Sequence, residues 1–388
     1  MVNLKLKPEI TEPSIHFINV ESGETYSEIW EFLTNKDLCK TLSADNYEQN
    51  VIEGLLKRTN WKPVFKDILP VYPEMKWNSE KKQLEDPYFI PIIRKTTIKD
   101  FLTASESFFA KYAGKKIGVQ LSGGLDSSII IAMLKHCHVP FSLVGMTSNR
   151  YEFRTEKYIQ NLLAEWGNES VLINYEKHLP LFDIDKVPAF QYPDMLCLNY
   201  SADNAMALEC KKLGIEVLFT GNGGDNVFAE EISVNDEQCK WLPQIFTDTW
   251  LNDIVYAPQG VQLVPFFGDN DIMQTIYNLR MGQLEDNSKL WARQFFSDFL
   301  PKELVNYGYC ADFWGLYING LQKSMPTVRK LFYRVYEITN IPCFSDTDLD
   351  EILNQDLQNA HKSMYQKIEA RISLAVWLNG LIKAEIIR

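Results

Sequence analysis

The chain has 388 residues, 46% of them hydrophobic, which is enough for one large or two ordinary domains, each with its own core. Its formal net charge is −12, from 51 acidic and 39 basic residues. That balance argues against an open nucleic-acid surface, whose affinity comes from lysines and arginines that neutralise phosphates.

The cellular setting follows from what the sequence lacks. The N-terminal stretch has no apolar segment of the signal-peptide kind, and no run approaches the roughly 20 apolar residues of a membrane span. The seven cysteines are scattered without a CxxC pair, as in reduced intracellular thiols. We therefore expect a cytoplasmic protein with no nucleic-acid partner and no membrane partner.

Residues 1–97 are polar and mixed, and they carry no motif that suggests catalysis. Two apolar runs interrupted by prolines, at 63–73 and 87–94, predict short strands. The polar stretch 77–86 between them predicts an exposed turn.

The pattern changes at about residue 98, where helices and strands begin to alternate. Apolar periodicity and glycine stops predict helices over 98–112, 129–135, 155–166 and 202–213, and strands over 116–121, 141–146, 169–175 and 215–220. Such alternation indicates βαβ units, and hence a doubly wound parallel α/β sheet with helices on both faces. From residue 240 onward the pattern is mainly helical, and it ends in a helix near 357–386.

The segment Leu121-Ser-Gly-Gly-Leu-Asp-Ser-Ser128 lies between a predicted strand and a predicted helix. Its glycines let the backbone approach an anion, and its hydroxyls, its N–H groups and the following helix N-terminus can surround phosphate. Asp126 would repel phosphate unless a cation lies between them, which implies Mg²⁺. The segment is not a Walker loop, because it has no Gly-Lys-Ser/Thr. The alternative is a tight turn in which Asp and Ser only cap the helix.

This loop resembles the pyrophosphatase loop of the asparagine synthetase family, whose usual form is SGG-hydrophobic-DSS. That family includes β-lactam and carbapenam synthetases and the macrolactam-forming cyclases of lasso peptides. A second segment, 218–228, contains Gly221-Asn-Gly-Gly-Asp225 and resembles the family's SGEGxDExF. The resemblance runs roughly from residue 58 to the C-terminus and implies the PP-loop, or adenine nucleotide α hydrolase-like, fold.

The resemblance implies two domains and a set of site residues. Residues 1–97 resemble a truncated glutaminase remnant that is small and β-rich, and 98–388 resemble the ATP-binding synthetase domain with a helical C-terminal part. Asp126 and Asp225 would share Mg²⁺ and the departing pyrophosphate. The residues expected to bind ATP are Leu121, Ser122, Gly123, Gly124, Leu125, Asp126, Ser127, Ser128, Gly145, Met146 and Gly221.

Three departures from the family pattern bear on catalysis. Val2 stands where a glutamine-hydrolysing member has its nucleophilic cysteine, so we expect no ammonia production from glutamine. Asn222 replaces the glutamate or tyrosine that handles the proton of the amine, and an amide is no useful base near neutral pH. The family's lysine, shortly after an LPxxI/L segment, is missing from 305–313.

Candidate replacements lie elsewhere in the chain. Glu156, which resembles an acidic position of the cyclase branch, and Glu230 are candidate catalytic residues beside Asn222, the alternative for both being a solvated surface. The positive charge of the missing lysine could come from Lys289, Arg293 or Lys302, whose placement the sequence does not define.

The resulting functional prediction is ATP-dependent amide-bond formation through an acyl-adenylate, with ATP and Mg²⁺ as cofactors. The substrate is expected to be a small molecule or peptide that carries a carboxylate and an amine, such as a natural-product intermediate closing to a lactam or macrolactam. A thiol or water as acceptor is a variant of the same reaction. The alternative is an ATP-binding pseudoenzyme, or a partner protein of a biosynthetic complex, without turnover.

Overall fold

The computed structural model describes residues 15–33, 41–52, 63–65, 67–71, 76–85, 92, 94–228, 249–281, 289–306, 313–345 and 362–387. The chain forms two compact units. The first unit takes Met1–Pro87, Ile184–Leu198 and Met325–Arg388, and the second takes Tyr88–Asp183 and Asn199–Ser324. No single cut in the chain separates these units, so the predicted division at residues 97 and 98 stays a prediction.

The strands of the described residues are β1 (His16–Asn19), β2 (Thr25–Tyr26), β3 (Ile68–Val71), β4 (Lys76–Asn78), β5 (Gln83–Glu85), β6 (Ile117–Gln120), β7 (Phe141–Thr147), β8 (Ser170–Asn174), β9 (Val217–Thr220) and β10 (Gln262–Pro265). The α-helices are α1 (Ile29–Leu33), α2 (Ala44–Ile52), α3 (Ile98–Ala110), α4 (Leu125–His136), α5 (Arg154–Ala164), α6 (Tyr200–Lys212), α7 (Gly224–Phe228), α8 (Asn270–Arg280), α9 (Leu290–Phe295), α10 (Lys302–Val305), α11 (Trp314–Thr339) and α12 (Lys362–Lys383).

The second unit is built on a parallel sheet of five strands in the order β10-β9-β6-β7-β8. The chain steps outward from β6 to β7 to β8, and then returns to place β9 and β10 on the other side of β6. Right-handed crossovers therefore put α4 and α5 on one face and α6 on the other. The direction of winding reverses between β6 and β9, and such a switch point is where open α/β sheets bind ligands.

The predicted α/β class with a parallel sheet and a helical C-terminal part is confirmed. One strand of this parallel sheet was not predicted: β10 pairs with β9 through Gln262↔Val217 and the next three positions. It lies in a region whose composition indicates helices, and it has only four residues. Helix α4 also begins four residues earlier than the predicted Ile129, directly after the glycines of the loop.

The core of the second unit is aromatic and lies against the sheet. Phe108 and Phe109 of α3 contact Phe219 of β9 at ring-centroid distances of 5.2 and 5.6 Å, and Phe266 packs on the same rings. Helix α3 starts at Ile98, as predicted, and Asp100 accepts a hydrogen bond of 2.7 Å from the Thr97 N–H at this start. Val119 of β6 belongs to the same buried cluster, so this packing supports the strands that lead into both loops described below.

The first unit contains an antiparallel sheet of three strands in the order β2-β1-β3. The predicted β-rich N-terminal part is therefore confirmed, but the expected turn at 77–86 is instead the hairpin β4–β5, with the turn at 79–82. The alternation Lys-Trp-Asn and Gln-Leu-Glu on either side of that turn satisfies strand periodicity. The predicted strand at 87–94 lies almost wholly outside the described residues.

Helix α12 belongs to the core of the first unit. Its Trp377 is fully buried and donates an indole hydrogen bond of 2.8 Å to the Phe190 carbonyl. Its Ser373 hydroxyl meets the Tyr47 hydroxyl of α2 at 2.9 Å, and its Arg371 donates to Glu48 of the same helix. None of the described helices is long and apolar enough to span a membrane.

Candidate nucleotide-binding site

The phosphate loop, Leu121–Ser128, leaves the sheet at β6 and enters α4. Gly123 has a φ of +82°, in the left-handed region, and a Cβ there would overlap the Glu156 carbonyl of α5. Gly124 is the N-cap of α4 and offers no side-chain cap. The first N–H groups of α4 therefore lack the usual capping partner, which favours an anion at this end of the helix.

The three serines of the phosphate loop differ in what they can contact. The Ser122 side chain is exposed, and its Oγ accepts from the Gly124 N–H at 3.1 Å and meets the Ser127 Oγ at 2.8 Å. Ser127 and Ser128 are buried, and the Ser128 hydroxyl donates to the Gly124 carbonyl at 2.6 Å. In this conformation the Ser122 hydroxyl is accessible to a phosphate group. The hydroxyls of Ser127 and Ser128 form hydrogen bonds within the loop and stabilise its shape.

The second loop, Gly221–Asp225, follows β9 and packs directly on the first. A Cβ at Gly221 would lie 3.1 Å from both the Asp126 Cβ and the Ser127 N, and one at Gly224 would lie 2.6 Å from the Asp126 Oδ2. Gly223 has a φ of +84°. Gly221 and Gly224 are thus explained by close contact with Asp126, and Gly223 by its left-handed φ. The predicted proximity of Gly221 to adenine stays a prediction.

The two loops share one cation. The Lys289 Nζ lies 2.7 Å from each carboxylate oxygen of Asp126 and 2.7 Å from the Asp225 Oδ1. The Lys289 side chain is only 6% exposed, whereas that of Asp225 is 82% exposed. Lys289 was one of three candidates for the missing lysine, and it is the one that the structure brings to the predicted metal carboxylates.

The backbone around Lys289 explains how it reaches this position. Lys289 has a φ of +54°, a left-handed conformation that costs a non-glycine residue about 1–2 kcal/mol. Just beyond it, the Trp291 indole donates to the Phe228 carbonyl at 3.1 Å, and before it, at the end of α8, Arg280 donates to the Val227 carbonyl at 3.2 Å. The Trp291 contact fastens the start of α9 to α7, which carries Asp225, and the Arg280 contact fastens the end of α8 to the same helix.

The other two candidate cations make different contacts, although Arg293 lies near enough to Asp126 for its charge to oppose the effect of burial on the pKa of that carboxyl. Arg293 is 3% exposed and donates a 2.6 Å hydrogen bond to the Leu304 carbonyl, so it supports the local fold. Lys302 is exposed on α10, and none of its described contacts joins it to Asp126 or Asp225.

The electrostatics of the three groups are coupled. Burial lowers the pKa of Lys289, but the attraction of Asp126 and Asp225 outweighs it, so the pKa of this ammonium lies above its usual value. Burial, helped by Asp225, raises the pKa of Asp126 against the opposing effects of Lys289 and Arg293. Among the groups in direct contact, two carboxylates share one ammonium, and a further cation would stabilise them.

The donor set fits a magnesium ion bound together with a polyphosphate. Asp126 and Asp225 converge within hydrogen-bond distance of one positive centre, and oxygen ligands are those Mg²⁺ prefers. Within the described ranges, no group of three or more His, Cys, Asp and Glu side chains gathers into a metal site. Two carboxylates with phosphate oxygens and water are a common magnesium set.

Several predicted residues occupy the same edge of the sheet. Gly145 and Met146 lie near the end of β7. A Cβ at Gly145 would overlap the Leu121 carbonyl, so close packing against the phosphate loop explains why this residue is a glycine. Asn222 lies in the turn before α7, and Glu156 lies in the first turn of α5. Their catalytic roles stay predictions. Glu230 lies outside the described residues.

Buried polar atoms without hydrogen-bond partners occur at this edge. They include the hydroxyls of Thr147 and Thr220, which end β7 and β9, and the Oε1 of Gln160. Sequence reasoning missed Gln160, whose Nε2 contacts both the phosphate loop and β7. The available signal was a polar residue between the apolar positions Ile159 and Leu163 of an amphipathic helix.

One comparison with known proteins covers the segment that holds this site. Residues 111–243, about a third of the chain, match the family model described as asparagine synthase. No curated protein gives a significant match. Among solved structures, NMN synthetase from Francisella tularensis aligns over 74% of this chain and 93% of that chain, at 10% identity and a TM-score of 0.32. At that score the likeness is too weak to carry an argument.

The matched segment holds both loops and four of the five strands of the parallel sheet. Residues 111–243 are therefore similar to asparagine synthase, and they carry the phosphate loop on a parallel α/β sheet. The match supports an ATP-using ligase or synthetase in general. The match does not identify the acid or the amine.

Proposed function

We propose that the protein uses ATP to activate a carboxylate as an acyl-adenylate and then transfers the acyl group to an amine, forming an amide. The substrate class we favour is a peptide or natural-product intermediate that carries both groups and closes to a lactam or macrolactam. The observation that carries the proposal is the Lys289 ammonium held 2.7 Å from Asp126 and from Asp225.

The first step needs positive charge at the pyrophosphate. A carboxylate oxygen of the substrate attacks the α-phosphorus, the bond to the bridging oxygen breaks, and pyrophosphate leaves with the negative charge. The phosphate loop would orient the β- and γ-phosphates with backbone N–H groups and the Ser122 hydroxyl. Lys289 would compensate the charge on the leaving group from the side of the second loop.

Asp126 and Asp225 would hold Mg²⁺, which when bound supplies charge compensation at the phosphates and aligns the leaving group. The Lys289 ammonium would then turn from the carboxylates towards the phosphate oxygens. The long flexible stem of lysine permits such a movement, and its ammonium can donate hydrogen bonds in several directions.

The second step joins the two halves of the product. The amine nitrogen attacks the carbonyl carbon of the adenylate, the carbon–oxygen bond to AMP breaks, and the nitrogen loses a proton. Asn222 can orient the amine but cannot accept that proton. We propose that water, or AMP itself as it leaves, takes the proton, since the adenylate is a reactive acyl donor.

Isotope exchange tests the first step without knowledge of the amine. The protein with Mg-ATP, labelled pyrophosphate and a panel of peptide and amino-acid carboxylates is expected to return label to ATP only when an acid is activated. AMP and pyrophosphate should be the products, and formation of ADP would rule the adenylation mechanism out. Lys302→Met serves as a charge-matched control for Lys289→Met in the same assay.

The same assay separates the enzyme from its alternative. Binding of Mg-ATP, seen as a rise in melting temperature, without exchange on any acid would favour the ATP-binding pseudoenzyme that serves a partner protein. Glutamine is expected to yield no glutamate in either case. Release of glutamate would contradict the expectation drawn from Val2.

A further inference from the structure

A buried amide side chain joins the phosphate loop to the neighbouring strand. Gln160 of α5 is 2% exposed, and its Nε2 lies within hydrogen-bond distance of three backbone carbonyls. These carbonyls are those of Met146 at 2.7 Å, Leu121 at 3.1 Å and Ser122 at 3.2 Å. A single side chain therefore contacts both backbone segments that are expected to bind the nucleotide.

The contact lies where β6 and β7 separate. The two strands pair as far as Gln120↔Val144, and the Leu121 N–H still donates to the Val144 carbonyl at 2.8 Å. Beyond this point the chain turns into the phosphate loop, and the carbonyls of Leu121 and Ser122 lose their sheet partners. Three carbonyl oxygens directed at one buried point would be unsatisfied without a donor between them.

The chemistry of this position favours an amide. A primary amide has two N–H donors and no charge, so one N–H can serve Met146 while the other is shared by Leu121 and Ser122. A glutamate would direct a carboxylate at three carbonyls, and a methionine of similar length would leave all three unsatisfied. The side chain thus sets a spacing that neither substitute can maintain.

We propose that Gln160 is a positioning residue that sets the distance between the phosphate loop and the Gly145–Met146 end of β7, so that one ATP molecule spans both. The inference rests on the proposed ATP site at this edge of the sheet. A second contact from α5 supports it, because Gly123 packs against the Glu156 carbonyl. Helix α5 therefore holds the loop through its backbone and holds the loop-to-strand distance through Gln160.

Loss of Gln160 is expected to weaken the affinity for ATP more than the affinity for pyrophosphate or adenosine, the two fragments of ATP. Pyrophosphate would use the phosphate loop alone, and adenosine would use the end of β7 alone. ATP gains from contacting both at once, as any bivalent ligand does when the two sites lie at the right separation. A shift of the separation should weaken ATP while leaving the two fragments nearly unaffected.

The test compares Gln160→Met with Asn161→Met, which also replaces an amide by methionine but at the exposed neighbouring position of the helix. Dissociation constants for ATP, inorganic pyrophosphate and adenosine are measured by calorimetry with Mg²⁺. Gln160→Met is expected to weaken ATP by about tenfold or more and each fragment by less than about twofold. Asn161→Met should bind all three as the natural protein does.

Two results would overturn the inference. One is an ATP dissociation constant within about twofold of the natural protein, and the other is a loss for pyrophosphate as large as the loss for ATP. Should Gln160→Met not fold, Gln160→Asn keeps the amide but shortens its reach by one methylene, and the same comparison applies. If the natural protein binds no ATP, the proposed function fails first; if it binds ATP and the variant is unchanged, only this inference fails.

Discussion

Each compact unit contains a buried charge cluster formed by residues far apart in the chain, but the two clusters are built differently. In the first unit, Arg371 of α12 donates to Glu48 of α2, and both side chains are about one-tenth exposed or less. In the second unit, Lys289 lies between Asp126 and Asp225, and Asp225 is largely exposed. The first cluster pairs one buried cation with one buried anion, whereas the second has an excess anion and an open side.

The comparison shows how to distinguish a structural ion pair from a ligand site. A balanced, closed pair satisfies its own charges and has no reason to take a ligand. A cluster with surplus negative charge, beside a helix N-terminus and two glycine-rich loops, can take a cation and a polyphosphate together. We therefore expect mutations in the first cluster to alter stability and mutations in the second to alter binding and turnover.

The largest effect is expected from Arg371→Met. Removing the cation leaves Glu48 buried and charged, and breaking a buried pair in this way costs about 3–5 kcal/mol. Urea denaturation should show this loss, while the remaining folded protein binds Mg-ATP normally. Lys367→Met, which removes an exposed lysine 3.7 Å from the same carboxylate, should cost about 1 kcal/mol or less. Equal losses in the two variants would contradict the closed-pair interpretation.

Lys289→Met is expected to lower the ATP–pyrophosphate exchange rate by about 100- to 1000-fold, the size seen when a group that stabilises transition-state charge is removed. The variant should also gain stability from Mg²⁺ alone, because Asp126 and Asp225 lose their internal cation. Melting curves with and without Mg²⁺ check the second effect. Exchange at the natural rate would show that Lys289 is only structural.

A smaller effect is expected from Asp225→Asn. Its side chain is 82% exposed, so the free energy of unfolding should change by less than about 0.5 kcal/mol. Magnesium-dependent ATP binding should weaken by about tenfold, since one of two carboxylate ligands is lost. The measurement is ATP affinity with Mg²⁺ and with EDTA. A stability loss without any change in affinity would make this cluster resemble that of Glu48 and Arg371.

Local features of this protein were predictable from the sequence. The phosphate loop is a run of eight neighbours between a strand and a helix, so its conformation depends mostly on its own glycines and its helix start. The alternation of strands and helices between 98 and 220 was confirmed for the same reason, because side-chain periodicity is a local property. Both loops follow parallel strands and so lie at one edge of the sheet, and the family resemblance implied that Asp126 and Asp225 meet there.

Other features depended on contacts between distant segments. Strand β10 is too short to be recognised among helices, and it is a strand because β9 offers it an edge. Sequence periodicity marked Gln160 as one more position of a helix, and only the divergence of β6 and β7 shows why an amide is buried there.

The sequence by itself determined the phosphate loop, the parallel sheet and the pair of carboxylates, because each depends on near neighbours or on strand order. Tertiary structure alone decided which cation serves that pair. Lys289 is separated from Asp126 by 163 residues, and it reaches the carboxylates through a left-handed backbone and the anchoring of α9 on α7. No local pattern encodes such an approach, since it is the packing of several elements that stabilises a strained residue in place.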